Sequence, residues 1–332
     1  MTDSRSAKKR LIRVLPWVVT AAVVGAILYK YPLSRIYDEA ARGDTLAMLP
    51  YGVLGPIVLL LMISTWDYMV FSAALGTLKW RDVLRGKAAS SMLMTIGYAA
   101  GHGGYGAWVS RCTGADLRTS FGTVLYIMTS ELISVCTVAG VAVWMGGADI
   151  PDSARTIVGF VAPSVALGLV IIALLSPWLH RRMGTRARFL RAWASVPPLT
   201  FLLQQLGRCA NISFGVCVTW AAANAFGVPL PFAAVATYLP VILLVGALPV
   251  NVAGLGAVQA AWLLFEPWAP GAQILAWQFI WHLIISIMLV LRALPFLRKA
   301  VRELRGGASL SETEQGAEDN QASGDSLTTA AD

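Results

Sequence analysis

Charge is the scarcest feature of this sequence. Only 13% of its 332 residues are Asp, Glu, Lys or Arg, against about 25% in soluble domains. Histidine occurs three times and cysteine four times. Cys112, Cys136, Cys209 and Cys217 form no CxxC pair, and no His lies near them at metal-ligand spacing. Neither a disulfide framework nor a zinc site can be argued from them, and buried free thiols are expected. No metal and no cofactor is expected. Short segments of alternating polarity are missing, which excludes a transmembrane β-barrel. No basic and aromatic patch sits on a soluble stretch, so nucleic-acid binding has no support.

What the chain does contain is apolar length. Hydrophobic residues make up 57% of it, and the mean hydropathy is +0.65. Repeated apolar runs of roughly 20 residues suit a bilayer. In hydrocarbon every backbone polar group must be paired internally, so such runs become helices. The fold class is therefore an all-α polytopic membrane protein. The main spans fall at about 12–29, 50–75, 119–146, 157–177, 199–225 and 271–296. The first follows Lys8, Lys9, Arg10 and Arg13, as in a signal peptide. Its length and the lack of an A-x-A site favour an uncleaved helix.

Two further apolar segments, 88–110 and 232–266, are interrupted by glycine clusters at Gly101–Gly106 and Pro249–Gly256. Each half is short for a crossing. Two short helices with an unwound tip suit a re-entrant hairpin, which is tolerated where protein or a polar cavity surrounds it. With both segments re-entrant and the N-terminus inside, the basic residues segregate. Outside lie only Lys30, Arg35, Arg42 and Arg155, and Arg208 lies within a span. All other Lys and Arg residues fall inside. They include Lys79, Arg81, Arg85, Lys87 and the cluster Arg181–Arg191. One full crossing by a single interrupted segment would turn the downstream clusters outward. Both termini are thus expected in the cytoplasm, with the chain in a bacterial-type inner membrane. The net charge of +8 is mostly this decoration, suited to an anionic leaflet.

A shift of 150 residues superimposes the spans. Residues 12–29, 50–75 and 119–146 map to 162–179, 200–225 and 269–296, and Gly104–Ala107 falls on Gly254–Ala257. Each repeat holds three crossings plus one hairpin. Three is odd, so the second repeat is expected to be inverted, an architecture of transporters. The chain divides into a basic N-terminus (1–11), a first repeat (12–150), a second repeat (151–300) and a disordered acidic tail (301–332).

Ionisable groups inside spans mark pathways or pairs. Asp67 and Arg208 both lie roughly 12–13 Å from the inner ends of their helices, so they could pair. A phosphate could compete with Asp67 for Arg208, whose fork suits phosphate oxygens. A static pair that only holds the repeats together is the plainer alternative. Gln204, Arg208 and Asn211 share one helix face by spacing. Glu131 and His282 fall near the middle of their spans and could relay protons, or simply bond to each other. At the expected tips, Gly104, Gly106, Gly254 and Gly256 allow close backbone approach. Helix N-termini near Ala107 and Ala257 would attract an anion. Arg111 follows one tip by a turn, and Asn251 and Gln259 flank the other. Tight packing through small residues fits these glycines equally well.

The stretch Pro249–Ala261 resembles the "LPxxxGGLGxxEAA" segment of the lysylphosphatidylglycerol synthase transmembrane (flippase-like) family. The stretch from Gly101 to Arg111, with Thr113-Gly114 and Glu131, resembles that family's "PGxxGxxxRxxxxxxxxG" region. The resemblance covers roughly residues 10–300. It implies an eight-segment domain that handles anionic or modified lipids, such as aminoacylated phosphatidylglycerol. Gly103 stands where a proline is common, and Gln259 replaces the usual glutamate. No soluble aminoacyl-transferase domain is expected after the membrane segment. The expected activity is translocation of an anionic, aminoacylated or lipid-linked phosphate-bearing lipid between leaflets, with membrane lipids as partners. The rivals are a membrane-embedded lipid or glycan transferase, for which no DxD, HxxxxD or Ser-His-Asp pattern is found, and a scaffold for a lipid-modifying enzyme. A homo-oligomer is a further possible assembly.

Overall fold

A computed structural model describes residues 3–76, 78–146, 152–183, 189–247 and 256–297. Its elements are helical, with no strand among the described residues. Helix α1 (Asp3–Lys30) turns by 74° into the short α2 (Leu33–Arg42). Helix α3 (Thr45–Leu75) leads to α4 (Trp80–Met94), α5 (Tyr98–Thr113) and α6 (Leu117–Met145). The second half runs through α7 (Asp152–Met183), the short α8 (Arg191–Ser195), α9 (Pro198–Phe226), α10 (Phe232–Ala247), α11 (Ala257–Trp262) and α12 (Gly271–Leu297). Five helices are long and apolar enough to cross a membrane, and the bent α1–α2 pair makes a sixth candidate. The protein is a multi-pass membrane protein.

Local chemistry sets the helix ends. Asp44 caps α3 by accepting from the Ala47 N–H (2.9 Å), and Asp116 caps α6 through the Thr119 N–H (2.7 Å). Side-chain oxygens thus satisfy N–H groups that a helix start leaves open. Helices α3, α5 and α9 stop at Gly76, Gly114 and Gly227, each in the left-handed conformation that favours glycine at a helix C-terminus.

At the centre, α3 and α9 pack antiparallel. A Cβ on Gly207 would collide with the Trp66 ring, and one on Gly55 would lie 2.8 Å from Val218. Lipid tails are as apolar as the helices, so close packing and not water exclusion holds such a pair, and glycine permits the approach. Helices α4 and α5 form a tight antiparallel hairpin. Trp108 fills the space beside Gly86, and Leu93 and Met94 fill the spaces beside Gly104 and Gly101. At 15 and 16 residues these helices are roughly 22 and 24 Å long, short of the roughly 30 Å hydrocarbon core. Each short helix packs on the far half of the chain. Helix α10 places Leu244 against Cys136 and Ala139 of α6, while α4 places Ser91 within 3.3 Å of the Leu289 carbonyl of α12.

Three expectations change. The first hairpin breaks at 95–97, and Gly101–Gly106 lies inside α5. Gly104 and Gly106 are therefore packing positions, the latter leaving 3.0 Å between a would-be Cβ and Phe121. The helix start expected near Ala107 is at Tyr98. Helix α4 begins at Trp80, ahead of the expected 88. Its charges are accommodated in pairs, Arg85 with Asp82 at 3.1 Å and Lys87 with Asp67. Helix α1 reaches back to Asp3, ahead of the apolar run. Asn251, Gly254 and the tail 301–332 lie outside the described residues.

Candidate functional site

A buried polar cluster forms where the α4–α5 hairpin meets the α3–α9 pair. Asp67 of α3 and Arg208 of α9 are 0% and 1% exposed. The Arg208 Nη2 group donates to Asp67 Oδ1. Helix α4 brings a second cation, Lys87, whose Nζ lies 3.4 Å from Asp67 Oδ2. The directly paired group thus holds two cations on one carboxylate. Glu131 of α6 adds a negative charge within electrostatic reach of Arg208, which balances the four formally.

Helix α5 walls the cluster with rings. Lys87 Nζ sits 5.0 Å from the centre of the Tyr105 ring, a cation–π contact that offsets part of its desolvation. Tyr105 meets Phe71 edge-on at 5.5 Å, and His102 packs on Tyr98 at 4.3 Å. From α9, Gln204 and Asn211 join Arg208 on one buried face, as their spacing predicts. The neighbouring Gln205 points elsewhere. It donates to Ser130 and accepts from Ser134 (2.9 Å), tying α9 to α6.

The cluster has hydrogen-bonding capacity in excess of its partners. Arg208 Nε and Nη1, both amide atoms of Gln204 and Asn211 Oδ1 are enclosed, yet find no hydrogen-bond partner among the described residues. Enclosed polar groups are nearly always paired, and an unpaired one costs roughly 1–3 kcal/mol. Two unpartnered guanidinium nitrogens beside an ammonium form a donor set suited to phosphate or carboxylate oxygens.

Other expected site residues are placed differently. Arg111 is exposed in the last turn of α5, roughly 20 Å along the helix from the break, and so does not converge with Arg208. Its spacing from the glycine cluster misled because that cluster is not the tip. Glu131 lies within electrostatic reach of Arg208 and Tyr98, and His282 lies on α12 next to Trp281, which packs near Gly52 of α3. Directly before α11, Gly256 takes φ +99° with a would-be Cβ 3.1 Å from Thr20 of α1, so its glycine character is required. Gln259 is fully buried one turn on. Helix α11 has only six residues before a 3-10 turn at Leu263–Phe265. Its dipole is correspondingly small, and the anion attraction expected at Ala257 has little to act through. Sequence reasoning missed Lys87, because a lysine beside Arg81 and Arg85 reads as interfacial charge. The small-residue run Ala88-Ala89-Ser90-Ser91 directly after it was the available sign of a buried helix.

No curated protein matches the sequence. The family model described as "Lysylphosphatidylglycerol synthase TM region" matches residues 17–292, a stretch that contains every helix of the polar cluster, and the chain belongs to this membrane family, which is linked to lipid handling.

Proposed function

We propose that the protein translocates a phosphate-bearing anionic lipid, including aminoacylated or lipid-linked forms, between the leaflets of a bacterial-type inner membrane. The observation that carries this reading is the buried Asp67–Arg208–Lys87 cluster with its unsatisfied guanidinium N–H groups. Asp67 holds both cations in place. A lipid phosphate reaching the cluster takes the free Nε and Nη1 donors and competes with Asp67 for Lys87. Protonation of Glu131 removes one of the two negative charges and leaves a net positive cluster, which favours the phosphate. Glu131 is thereby the proton-coupling group, with His282 a second candidate on α12. The carboxylates Asp67 and Glu131 also suit the ammonium of an aminoacylated headgroup.

The architecture supports transport. Helices α1–α6 and α7–α12 recur in the same order, long, short, long, hairpin, long. The hairpins are exchanged, α4 lying on α12 and α10 on α6. We read this as an inverted repeat with two re-entrant hairpins, an arrangement that allows alternating access around a central site. The distribution of Lys and Arg supports an orientation with both termini in the cytoplasm.

Leaflet exchange in proteoliposomes tests the function. Fluorescent phosphatidylglycerol, lysyl-phosphatidylglycerol and phosphatidylcholine are reconstituted symmetrically, and the outer leaflet is quenched by an impermeant reductant. Loss of inner-leaflet protection for the anionic or aminoacylated lipids, absent with Arg208→Ala, is expected. Wild-type protein that exchanges no lipid at any pH gradient would overturn the reading in favour of a scaffold.

A further inference from the structure

One more cation lies inside the bundle, outside the Asp67 cluster. Arg292 of α12 sits between α3 and α4. Its Nη1 donates to the Pro56 carbonyl (2.8 Å), and its Nε donates to Ser91 Oγ (3.2 Å). Both partners are neutral oxygens, and among the described residues no carboxylate pairs with it. A guanidinium within a membrane span is costly without a counter-ion. The site is nevertheless built to hold it. Ser91 is fully buried, and its hydroxyl is committed as donor to the Ala88 carbonyl at 2.6 Å, which turns its lone pairs toward Arg292. Nη2 makes no hydrogen bond to a described residue, and Arg292 is only partly buried, so one edge of the fork stays reachable.

The position of Arg292 along α4 gives it a use. Ser91 follows Lys87 by four residues, so the two share a face of α4, about 6 Å apart along the helix. Helix α4 therefore runs past two cations. One is held by Asp67 and the other has no acidic partner.

We propose that Arg292 is a second anion station, which takes the phosphate of the transported lipid one helical turn along α4 from the Lys87–Arg208 cluster. The inference rests on the transport reading above. Two stations along one face of α4 let a phosphate pass between cations without entering hydrocarbon unpaired, which lowers the barrier that a single deep site would impose. Binding at each station stays weak enough for release because each keeps a competing oxygen, Asp67 at the first and the Pro56 carbonyl at the second.

The test compares wild type, Arg292→Gln, Arg292→Lys and Arg208→Ala by two readouts. The first is leaflet exchange of phosphatidylglycerol and phosphatidylcholine. Arg292→Gln should slow phosphatidylglycerol exchange by ~10–100-fold, the loss expected for a charge-assisted hydrogen-bond pair. Arg292→Lys should recover part of it, and phosphatidylcholine exchange should not change. Wild-type exchange by Arg292→Gln overturns the proposal, as does equal loss for both lipids in both variants, which marks a packing role alone. The second readout is retention of phosphatidylglycerol on detergent-solubilised protein by native mass spectrometry, with inorganic phosphate as competitor. A stoichiometry lowered by one lipid in Arg292→Gln supports the station. Unchanged retention, or displacement by phosphate at equal concentration, refutes a lipid ligand there. If wild type exchanges no lipid, the transport reading fails, and the retention measurement still judges Arg292.

Discussion

Removing the Asp67 charge should destabilise the protein more than removing either cation. Among the described residues Asp67 is the sole carboxylate in direct contact with Arg208 and Lys87, and all three are at least nine-tenths buried. At the 3.4 Å separation from Lys87, the attraction is about 5 kcal/mol at an effective dielectric constant of about 20. Much of that is offset by desolvation. The measured cost of breaking buried pairs, roughly 3–5 kcal/mol, reflects the charge left behind. Asp67→Asn leaves two such charges within one cluster. For a chain of this size ~2 °C is lost per kcal/mol, so the unfolding midpoint in mild detergent should fall by ~6–10 °C. Lys87→Met leaves the Asp67–Arg208 pair intact and should change it by less than about 3 °C. Replacing all three with apolar residues (Asp67→Leu, Lys87→Met, Arg208→Met) should regain most of the loss, because no charge remains buried. A midpoint for Asp67→Asn equal to wild type, or a triple variant less stable than Asp67→Asn, would refute the assignment of the cluster as a charge-balanced buried group.

Glu131→Gln, which fixes the cluster in its net-positive form, should make anionic-lipid exchange independent of a pH gradient and tighten lipid retention. A wild-type pH response would remove Glu131 from the coupling role. Gly207→Leu should lower the unfolding midpoint by several degrees, since its side chain would occupy the Trp66 ring, and overpacking costs ~1–3 kcal/mol. The compensating Trp66→Ala should restore part of that stability, measured in the same melts. Gly256→Ala should cost ~1 kcal/mol or more in stability through its positive φ and its contact with Thr20. An unchanged midpoint would mean that this turn relaxes freely. Glu266→Gln should loosen the elbow where Lys30 (3.1 Å) and Tyr31 reach Glu266, seen as faster proteolysis near residues 31–44 with little change in the melting midpoint.

Much of the fold was legible because a bilayer imposes one rule on every span. The runs 119–146, 199–225 and 271–296 end within two residues of α6, α9 and α12, where Asp116, Gly227 and Pro270 punctuate them. The polar face Gln204–Arg208–Asn211 and the Asp67–Arg208 pair were readable from helical spacing and depth. What failed was the reading of glycine. At Gly101–Gly106 it served helix packing, while the actual break at Thr95-Ile96-Gly97 carries a single glycine. Glycine marks close approach and unwinding alike, and only the neighbours, here Leu93 and Met94, decide between them. Lys87 and Arg292 were hidden for a different reason. A charge near the end of an apolar run is assigned to the interface by composition. Whether it instead turns inward depends on a partner far away in sequence, Asp67 for Lys87 and Ser91 for Arg292.

The most direct test of the central claim is photocrosslinking from inside the cluster. Tyr98 packs on His102 at the edge of the cluster and lies within electrostatic reach of Glu131 and Arg208, and p-benzoyl-phenylalanine there replaces one aromatic side chain by another. The outward-facing Trp144, 88% exposed, is the control position. Irradiation in membranes followed by mass spectrometry should attach an anionic phospholipid at residue 98 in the wild-type background, and much less with Arg208→Ala. At residue 144 the attached lipids should follow bulk membrane composition in both backgrounds. No lipid at residue 98, or a lipid profile there that matches residue 144 and ignores Arg208, would contradict a phosphate-binding site at the centre of this fold.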